Sequence, residues 1–314
     1  MARTAISIII PCLNEEAALP SCYEELKKIA DSMPETDFEF CLVDDGSVDG
    51  TLDVIRRLSA EDRRVRYLSF SRNFGKEAAM LAGLRTAGGD YCVLMDADLQ
   101  HPPRLIADMY AAVKNGEYDI AAAQRVTRRG EPRIKSFFAR CFYGLIRKIS
   151  DMEIVDGATD FCLMSRTAVN AVLSLNEYNR FFKGILNWVG FRKVWIPYEN
   201  VERIAGRSKW SIRKLIRYSV GCITDFTVLP LMFSFIAGLL SCLAALILFL
   251  VIIIRSLVSE GLAAGCLLIA ALILLMGGLI LFSIGILGQY VSKMYLELKG
   301  RPHYIVRETE KGQK

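Results

Sequence analysis

Short hydrophobic runs alternate with amphipathic stretches through the first 115 residues of the chain. The apolar runs are residues 6–11, 38–45, 65–70 and 90–98, and the stretches with helical periodicity that follow them are 15–32, 49–61, 75–87 and 103–115. Four strand and helix units in series predict an α/β fold, with a mainly parallel sheet covered on both faces by helices. Ligand sites of such folds lie at the carboxyl edge of the sheet.

The last third of the chain has a different pattern. Residues 226–254 and 261–292 contain no Asp, Glu, Lys or Arg. Each segment is longer than the roughly 20 apolar residues that a helix needs to cross a bilayer. We therefore predict two transmembrane helices, at 229–254 and 262–288.

Basic and aromatic residues interleave in two further segments, about 131–150 and 208–227. Such a composition is typical of helices that lie in a lipid interface, and the alternative is an ordinary amphipathic helix packed on the sheet. The predicted layout is a globular domain over 1–207 that includes the first of these helices, then the juxtamembrane helix, the two spans and a tail. The tail, 289–314, contains a short strand at 301–307.

Charge places the globular domain relative to the membrane. Lys and Arg flank both predicted spans on their outer sides, whereas the connecting loop at 255–260 carries one Arg. The positive-inside rule then puts both termini and the globular domain in the cytoplasm. The net charge of +5 is concentrated beside the spans, which favours anionic lipid over nucleic acid as a partner.

Sulfur and imidazole ligands are poorly arranged for a zinc site. The nine cysteines contain no C-x-x-C pair, and the chain has only two histidines, His101 and His303. Most of the cysteines lie in apolar runs. They are therefore expected to be reduced core residues.

Two carboxylates follow the fourth apolar run, at Asp96 and Asp98. A spacing of two along an extended chain returns both side chains to one face, where they can share a cation. Mg²⁺ and Mn²⁺ suit such a site because they take few protein carboxylates and fill their other positions with water and phosphate oxygens. The triplet alone is a weak signal, since D-x-D is frequent on exposed turns.

Other strand ends supply further polar groups. Asp44 ends the second run and is the favoured ligand there for a base or ribose, while Gly46 permits close backbone approach. Asp49 is interpreted either as a ligand or as a cap of the following helix. A helix that begins after Gly75, together with Lys76, favours a phosphate.

These motifs together carry a family resemblance. The segments are IIIPCLNEE (8–16), VDDGSVDGT (43–51), SRNFGKEAA (71–79), MDADLQHPP (95–103), ATDFCLMSR (158–166) and RIAGRSKW (203–210). In this order and spacing they resemble the family 2 inverting glycosyltransferases of GT-A fold. More narrowly, the chain resembles the polyprenyl-phosphate glycosyltransferases, which include dolichol-phosphate mannose synthase and bacterial undecaprenyl-phosphate glucosyltransferases.

The resemblance implies roles for individual residues. Those implied for the nucleotide-sugar are Pro11, Glu15, Asp44, Lys76, Asp96, Gln100, Ser208 and Lys209. Asp96 and Asp98 would hold Mg²⁺ or Mn²⁺, and Asp98, Asp160 and Arg203 would be catalytic, with Asp160 in the position usually assigned to the base. The basic residues expected to bind the acceptor phosphate are Arg125, Arg128 and Lys135.

One departure concerns the surroundings of Asp160. Many relatives read Gly-Asp-Phe-Arg where this chain has Thr159-Asp160-Phe161-Cys162, so a basic side chain is expected to be missing beside Asp160. The acceptor phosphate has a second pKa of about 6 and is already largely ionised at neutral pH. Asp160 is therefore expected to orient groups more than to remove a proton.

The implied reaction is inverting transfer of a sugar to undecaprenyl phosphate at the cytoplasmic face of the bacterial inner membrane, for cell-envelope glycan modification. UDP-glucose is the first choice of donor, followed by UDP-N-acetylglucosamine, a modified arabinose or GDP-mannose. A homo-oligomer is expected, with a tetramer as one option. The alternatives from other classes are a non-catalytic membrane scaffold, a processive synthase, for which the Q-x-x-R-W element is missing, and a transporter, for which the spans offer no polar pathway.

Overall fold

The computed structural model describes residues 3–126, 155, 157–199, 229–258 and 263–313. The strands are β1 (Thr4–Cys12), β2 (Thr36–Asp44), β3 (Val65–Phe70), β4 (Tyr91–Leu94), β5 (Ile120–Arg125), β6 (Ala158–Ser165), β7 (Lys193–Tyr198), β8 (Val306–Thr309) and β9 (Gly312–Gln313). The helices are α1 (Leu19–Ser32), α2 (Thr51–Glu61), α3 (Lys76–Thr86), α4 (Leu105–Val113), α5 (Arg166–Ser174), α6 (Phe182–Trp188), α7 (Leu229–Val258) and α8 (Ala263–Leu298). The predicted helices at 131–150 and 208–227 lie outside the described residues.

The chain divides into two compact units. The first consists of Met1–Ser211 together with Pro302–Lys314, and the second of Ile212–Arg301. The first unit contains all nine described strands, so the tail returns to the sheet that the first half of the chain builds.

The sheet has the order β7-β5-β6-β4-β1-β2-β3-β8-β9. The four strands predicted from the pattern, β1 to β4, pair in parallel as expected. The later strands add antiparallel pairs, because β6 lies between β4 and β5 and runs against both. The start of β6 therefore lies at the carboxyl edge of β4.

Helices cover both faces of the sheet, as the alternating pattern predicted. On one face the core includes Leu26 of α1, Ile55 of α2 and Ile106 of α4. On the other, Met80 of α3 and Ile185 of α6 pack with β6. Five cysteines of this core are free thiols and buried: Cys12, Cys22, Cys41, Cys92 and Cys162.

The start of the first helix differs from the prediction. The pattern predicted a helix over 15–32, whereas α1 begins at Leu19. Asn14 adopts a positive φ of 55°, and its side-chain oxygen accepts a hydrogen bond from the Val48 backbone N–H at 2.9 Å. The segment before α1 is therefore bent to hold the loop that follows β2.

The tail strand is also shifted from its predicted place. Residues 301–307 were predicted, but β8 covers Val306–Thr309 and pairs antiparallel with β3 of the same chain. Tyr304 stacks on Phe70, with 4.9 Å between ring centroids. Only residues 306 and 307 of the predicted segment belong to β8, and the buried Glu308 lies beyond it.

The second unit contains two long apolar helices, α7 of 30 residues and α8 of 36 residues. Within the described residues, one segment, Leu275–Leu298, meets the length and composition of a membrane-crossing helix, with 24 residues and a mean hydropathy of 1.6. A shorter apolar stretch lies at Leu231–Ile247. The prediction of two transmembrane helices is therefore not confirmed, and α8 extends ten residues beyond the predicted end at 288.

Candidate active site

Two predicted site residues come together through the register of β4 and β6. Leu94 pairs with Cys162 in this antiparallel pair. Asp96 and Asp160 each lie two residues beyond this last pair, on the same side of it. The hydrophobic pattern alone did not predict this juxtaposition, because it requires β6 to be inserted antiparallel beside β4.

Lys76 joins these two carboxylates. Its Nζ lies 2.6 Å from Asp96 Oδ1 and 2.8 Å from Asp160 Oδ2. Burial lowers the pKa of Lys76, but Asp160 and Asp96 outweigh this effect and raise it well above its ordinary value. The first residue of α3 was predicted to meet a donor phosphate, and in the structure it holds an acidic pair.

Asp160 also has a second cation beside it. Lys183 Nζ lies 3.9 Å from Asp160 Oδ1 and donates a hydrogen bond to the Ala158 carbonyl oxygen at 2.9 Å. Burial raises the pKa of Asp160, whereas Lys76 and Lys183 lower it, and the result lies well below the ordinary range. Asp160 therefore stays ionised at any physiological pH.

Lys183 corrects the expectation that a basic side chain is missing beside Asp160. Cys162, the last residue of that motif, is fully buried in the core. The basic groups come instead from α3 and α6, which pack on the same face of the sheet. Sequence reasoning missed Lys183, since nothing in the order of the chain places residue 183 beside residue 160.

Residues 98–100 form a tight turn at the end of β4. The Gln100 backbone N–H donates to Asp98 Oδ1 at 3.1 Å, and the buried Leu99 adopts a positive φ of 55°. A non-glycine residue in this region is strained, and such strain often accompanies functional sites. The turn holds the Asp98 carboxylate just beyond the carboxyl end of β4.

Asp44 is buried more deeply than its predicted ligand role suggests, with a side chain that is 1% exposed. Its Oδ1 accepts from the Ser47 backbone N–H at 3.0 Å, and its Oδ2 accepts from the Ser69 hydroxyl at 2.7 Å. In the structure, Asp44 therefore holds the loop after β2. Contact with a nucleoside stays a prediction.

The same loop shows what Gly46 and Asp49 do. Gly46 has a φ of 68°, and a Cβ at this position would lie 2.4 Å from the backbone carbon of Arg72. The close approach that the glycine permits is thus to the chain itself. Asp49 Oδ1 accepts from the Thr51 backbone N–H at 3.1 Å, but the N-cap residue of α2 is Gly50, so Asp49 holds the first turn from one position before the cap.

The remaining predicted residues occupy several places. Pro11 is partly exposed near the end of β1, and the Glu15 backbone N–H donates to Thr51 Oγ1 at 2.8 Å. Arg125 ends β5, where its backbone N–H donates to Gly157 O at 2.9 Å. The predicted residues outside the described part of the chain are Arg128, Lys135, Arg203, Ser208 and Lys209.

Comparison with known proteins decides the family. Residues 7–173, more than half of the chain, match the model of glycosyl transferase family 2. The chain belongs to this family. It is a glycosyltransferase, and the strand ends described above lie within the matched region.

Its relatives match over nearly their full length. A Bacillus subtilis protein named "Putative glycosyltransferase CsbB" is 41% identical over 98% of this chain and 93% of its own. The SfII prophage-derived bactoprenol glucosyl transferase of Shigella flexneri is 37% identical over 98% of this chain and 99% of its own.

Among solved structures, glucosyl-3-phosphoglycerate synthase from Mycobacterium tuberculosis, in complex with Mn²⁺, UDP-glucose and phosphoglyceric acid, matches with a TM-score of 0.50. The match covers 70% of this chain and 78% of that one at 20% identity, so it shows the fold.

A histidine not assigned from the sequence completes the glycosyltransferase site. Burial raises the pKa of Tyr198 to about 12, so its hydroxyl stays protonated and can donate to His101 Nδ1 at 2.7 Å. Burial also lowers the pKa of His101 more than Asp96 and Asp98 raise it, which favours the neutral ring. In this tautomer, the proton is on Nε2, 3.9 Å from Asp96 Oδ2.

The donor set of the glycosyltransferase fits a hard divalent cation. Asp96 and Asp98 are partly exposed carboxylates on one turn. Within the described residues, no group of three or more His, Cys, Asp or Glu is arranged to hold a metal by itself. Two carboxylates suit Mg²⁺ or Mn²⁺, which complete their coordination with water and substrate phosphate oxygens.

Proposed function

We propose that the protein transfers a sugar, with glucose from UDP-glucose as first choice, to undecaprenyl phosphate at the cytoplasmic face of the membrane. The observation that carries this proposal is the convergence of Asp96, Lys76 and Asp160 at one sheet edge. The acceptor and the sugar are supported by relatives named bactoprenol glucosyl transferase, which are 36–37% identical to this chain. The product would be a lipid-linked sugar for modification of cell-envelope glycans.

Asp96 and Asp98 would hold Mg²⁺ or Mn²⁺ together with the donor diphosphate. The cation would neutralise charge on the diphosphate as it leaves. The turn at Leu99 follows Asp98, and the His101 ring lies near Asp96 on the same side of the site, with 3.9 Å between Nε2 and Oδ2. Lys76 aligns Asp96 with Asp160, so that the donor and acceptor sides of the site are held at a fixed distance.

The acceptor needs little help to become a nucleophile. A phosphate monoester is largely dianionic at neutral pH, so few acceptor molecules carry a proton that a base would remove. Asp160, with its strongly lowered pKa, is also a weak base. Its role would be to hold the two lysines, while in-line attack opposite the leaving group would invert the anomeric centre and give a β-linked sugar from an α-linked donor.

A lipid acceptor requires that the enzyme reach a bilayer. Large apolar side chains of α7 and α8 are exposed in the structure, among them Phe235 and Leu281, each 71% exposed. Exposed apolar surface of this extent favours contact with lipid. The basic positions Arg128, Lys135, Arg203 and Lys209 remain predictions for the phosphate-bearing groups.

The test is direct transfer by the purified full chain in detergent. Labelled nucleotide-sugars, with UDP-glucose first, are incubated with undecaprenyl phosphate and Mn²⁺ or Mg²⁺, and labelled lipid is extracted. We expect lipid product with one donor, and loss of at least 10²-fold in Asp98→Ala, as is typical when charge stabilisation at the leaving group is removed.

Asp108→Ala provides a matched control, because Asp108 is an exposed residue of α4 and the substitution removes the same charge. It should keep wild-type activity. Full activity of Asp98→Ala, or of the wild type in excess chelator, would refute the metal assignment. No transfer from any donor would refute undecaprenyl phosphate as the acceptor.

A further inference from the structure

Lys183 is the second residue of α6, a short helix that packs beside the start of β6. Its side chain is 26% exposed, so the ammonium is sheltered but reachable. An ammonium has three N–H donors, and one of them is used by the Ala158 carbonyl oxygen at 2.9 Å. At 3.9 Å from Asp160 Oδ1, the group is attracted to the carboxylate without a short hydrogen bond.

The position of this ammonium is fixed by the residue before it. Both carboxylate oxygens of Glu77 accept from the Phe182 backbone N–H at 3.1 Å. Glu77 directly follows Lys76 in α3, so one end of α3 holds both Asp160 and the start of α6. Two lysines from two helices are thereby brought to the same carboxylate.

The two lysines differ in which strands of the sheet they contact. Along the carboxyl edge, the order β5-β6-β4 places Arg125, Asp160 and Asp96 in succession. Lys76 contacts Asp96 as well as Asp160 and so belongs to the metal and donor side. Lys183 contacts Asp160 and Ala158, both on β6, and forms no hydrogen bond or ion pair with the donor side among the described residues.

We propose that Lys183 binds the phosphate group of the lipid acceptor and sets its position beside Asp160. The inference rests on the proposed function and adds a residue to it. A phosphate dianion placed next to Asp160 is repelled by this carboxylate, so a cation must lie between or beside them. Lys183 has free donor capacity, a charge that matches the ligand, and a location beside Asp160 Oδ1, whereas Lys76 lies at Oδ2.

The experiment compares Lys183→Met and Lys183→Arg with the wild-type full chain in detergent. In Lys183→Met we expect the KM for undecaprenyl phosphate to rise about 10- to 100-fold, which corresponds to one charge-assisted hydrogen bond. The KM for the nucleotide-sugar should change less than about twofold, and Lys183→Arg should recover most of the loss. Lys193→Met is the matched control, because Lys193 begins β7 at the opposite sheet edge and donates to Asn187.

A second measurement separates this inference from the proposed function. Binding of farnesyl phosphate, a short-chain polyprenyl phosphate, is titrated without donor, against farnesol as the uncharged probe. Binding by the wild type but not by Lys183→Met supports the inference. Equal binding by both overturns the inference alone, whereas no binding by the wild type overturns the proposed acceptor and the inference together. A parallel loss of donor affinity in Lys183→Met would assign Lys183 a structural role and overturn the inference.

Discussion

The carboxylate of Asp160 lies between two ammonium groups, and this arrangement decides what it can do. A carboxylate that is strongly stabilised in its ionised form holds a proton poorly, so it is unsuited to general-base catalysis near neutral pH. It is well suited to fix the positions of Lys76 and Lys183. The surroundings of Asp160 therefore favour a role in positioning these two lysines over a role in proton transfer.

For Asp160→Asn we expect kcat to fall about 10²- to 10³-fold, the range for loss of a preorganised charge. The loss should stay constant between pH 5.5 and 8.5, because Asp160 is ionised throughout this interval and its lysines are left unorganised at every pH. The measurement is a pH profile of kcat for wild type and variant, at saturating donor and acceptor.

Proton abstraction would give a different profile. The acceptor phosphate loses its own proton with a pKa of about 6, so a missing base would matter less as the pH rises. A deficit that shrinks steadily from pH 5.5 to 8.5 would therefore restore the base role. Asp49→Asn is a suitable control, since an amide oxygen can still accept the Thr51 N–H at the start of α2.

At the scale of elements, the sequence was most informative where neighbours in the chain are neighbours in space. The strands β1 to β4 and the helices between them follow from periodicity, because each unit buries its own apolar face. The pairing of β6 with β4 does not follow from periodicity, since it joins residues about 70 positions apart. It also depends on whether this strand order is more stable than the alternative orders. Asp160 was found from its motif, but Lys76 and Lys183 as its partners were not.

The tail strand β8 illustrates the same limit and supports a prediction on stability. Glu308 is buried, and its carboxylate accepts from Arg56 Nε at 2.9 Å, from Arg56 Nη2 at 2.7 Å and from the Tyr67 hydroxyl at 2.8 Å. The hydrogen bonds from Arg56 are the main cause that lowers the pKa of Glu308 to about 2. This carboxylate therefore ties the end of the chain to β3 and α2.

We expect Glu308→Gln to lower the free energy of unfolding of the first unit by about 1.5–3 kcal/mol at pH 7, as for charged hydrogen bonds. Since the folded pKa is depressed, the stabilisation is present above the ordinary glutamate pKa and is lost as the pH falls toward 2. The difference in Tm between wild type and variant should therefore be largest near pH 7 and shrink below pH 4.5.

Glu310→Gln is the matched control for this strand. Glu310 lies just beyond β8 and pairs with Arg66 at 3.3 Å, but it is more exposed than Glu308. Exposed pairs contribute about 0–1 kcal/mol, so its Tm should change little. An equal loss in both variants would show that any charge change in the tail is destabilising and that the buried pair has no special weight.

At the scale of the whole molecule, one chain contains two different units: an α/β unit with a buried core and a unit of two long apolar helices. The first unit buries its large side chains in cores on both faces of the sheet, whereas α7 and α8 expose theirs. A soluble monomer rarely leaves so much apolar surface uncovered. Lipid on these helices agrees with the proposed transfer to a polyprenyl phosphate.

A single charge tests whether lipid covers α8. Leu281 lies inside both the predicted span and the apolar segment Leu275–Leu298 and is 71% exposed. If it faces acyl chains, Leu281→Arg costs about 2.5–3.5 kcal/mol and should strongly reduce the membrane-integrated fraction, measured after alkaline extraction. Leu298→Arg is the control, because Leu298 is 83% exposed at the helix end, where an arginine reaches the interface. Integration of Leu281→Arg at the wild-type level would instead place this face of α8 against water or another protein surface.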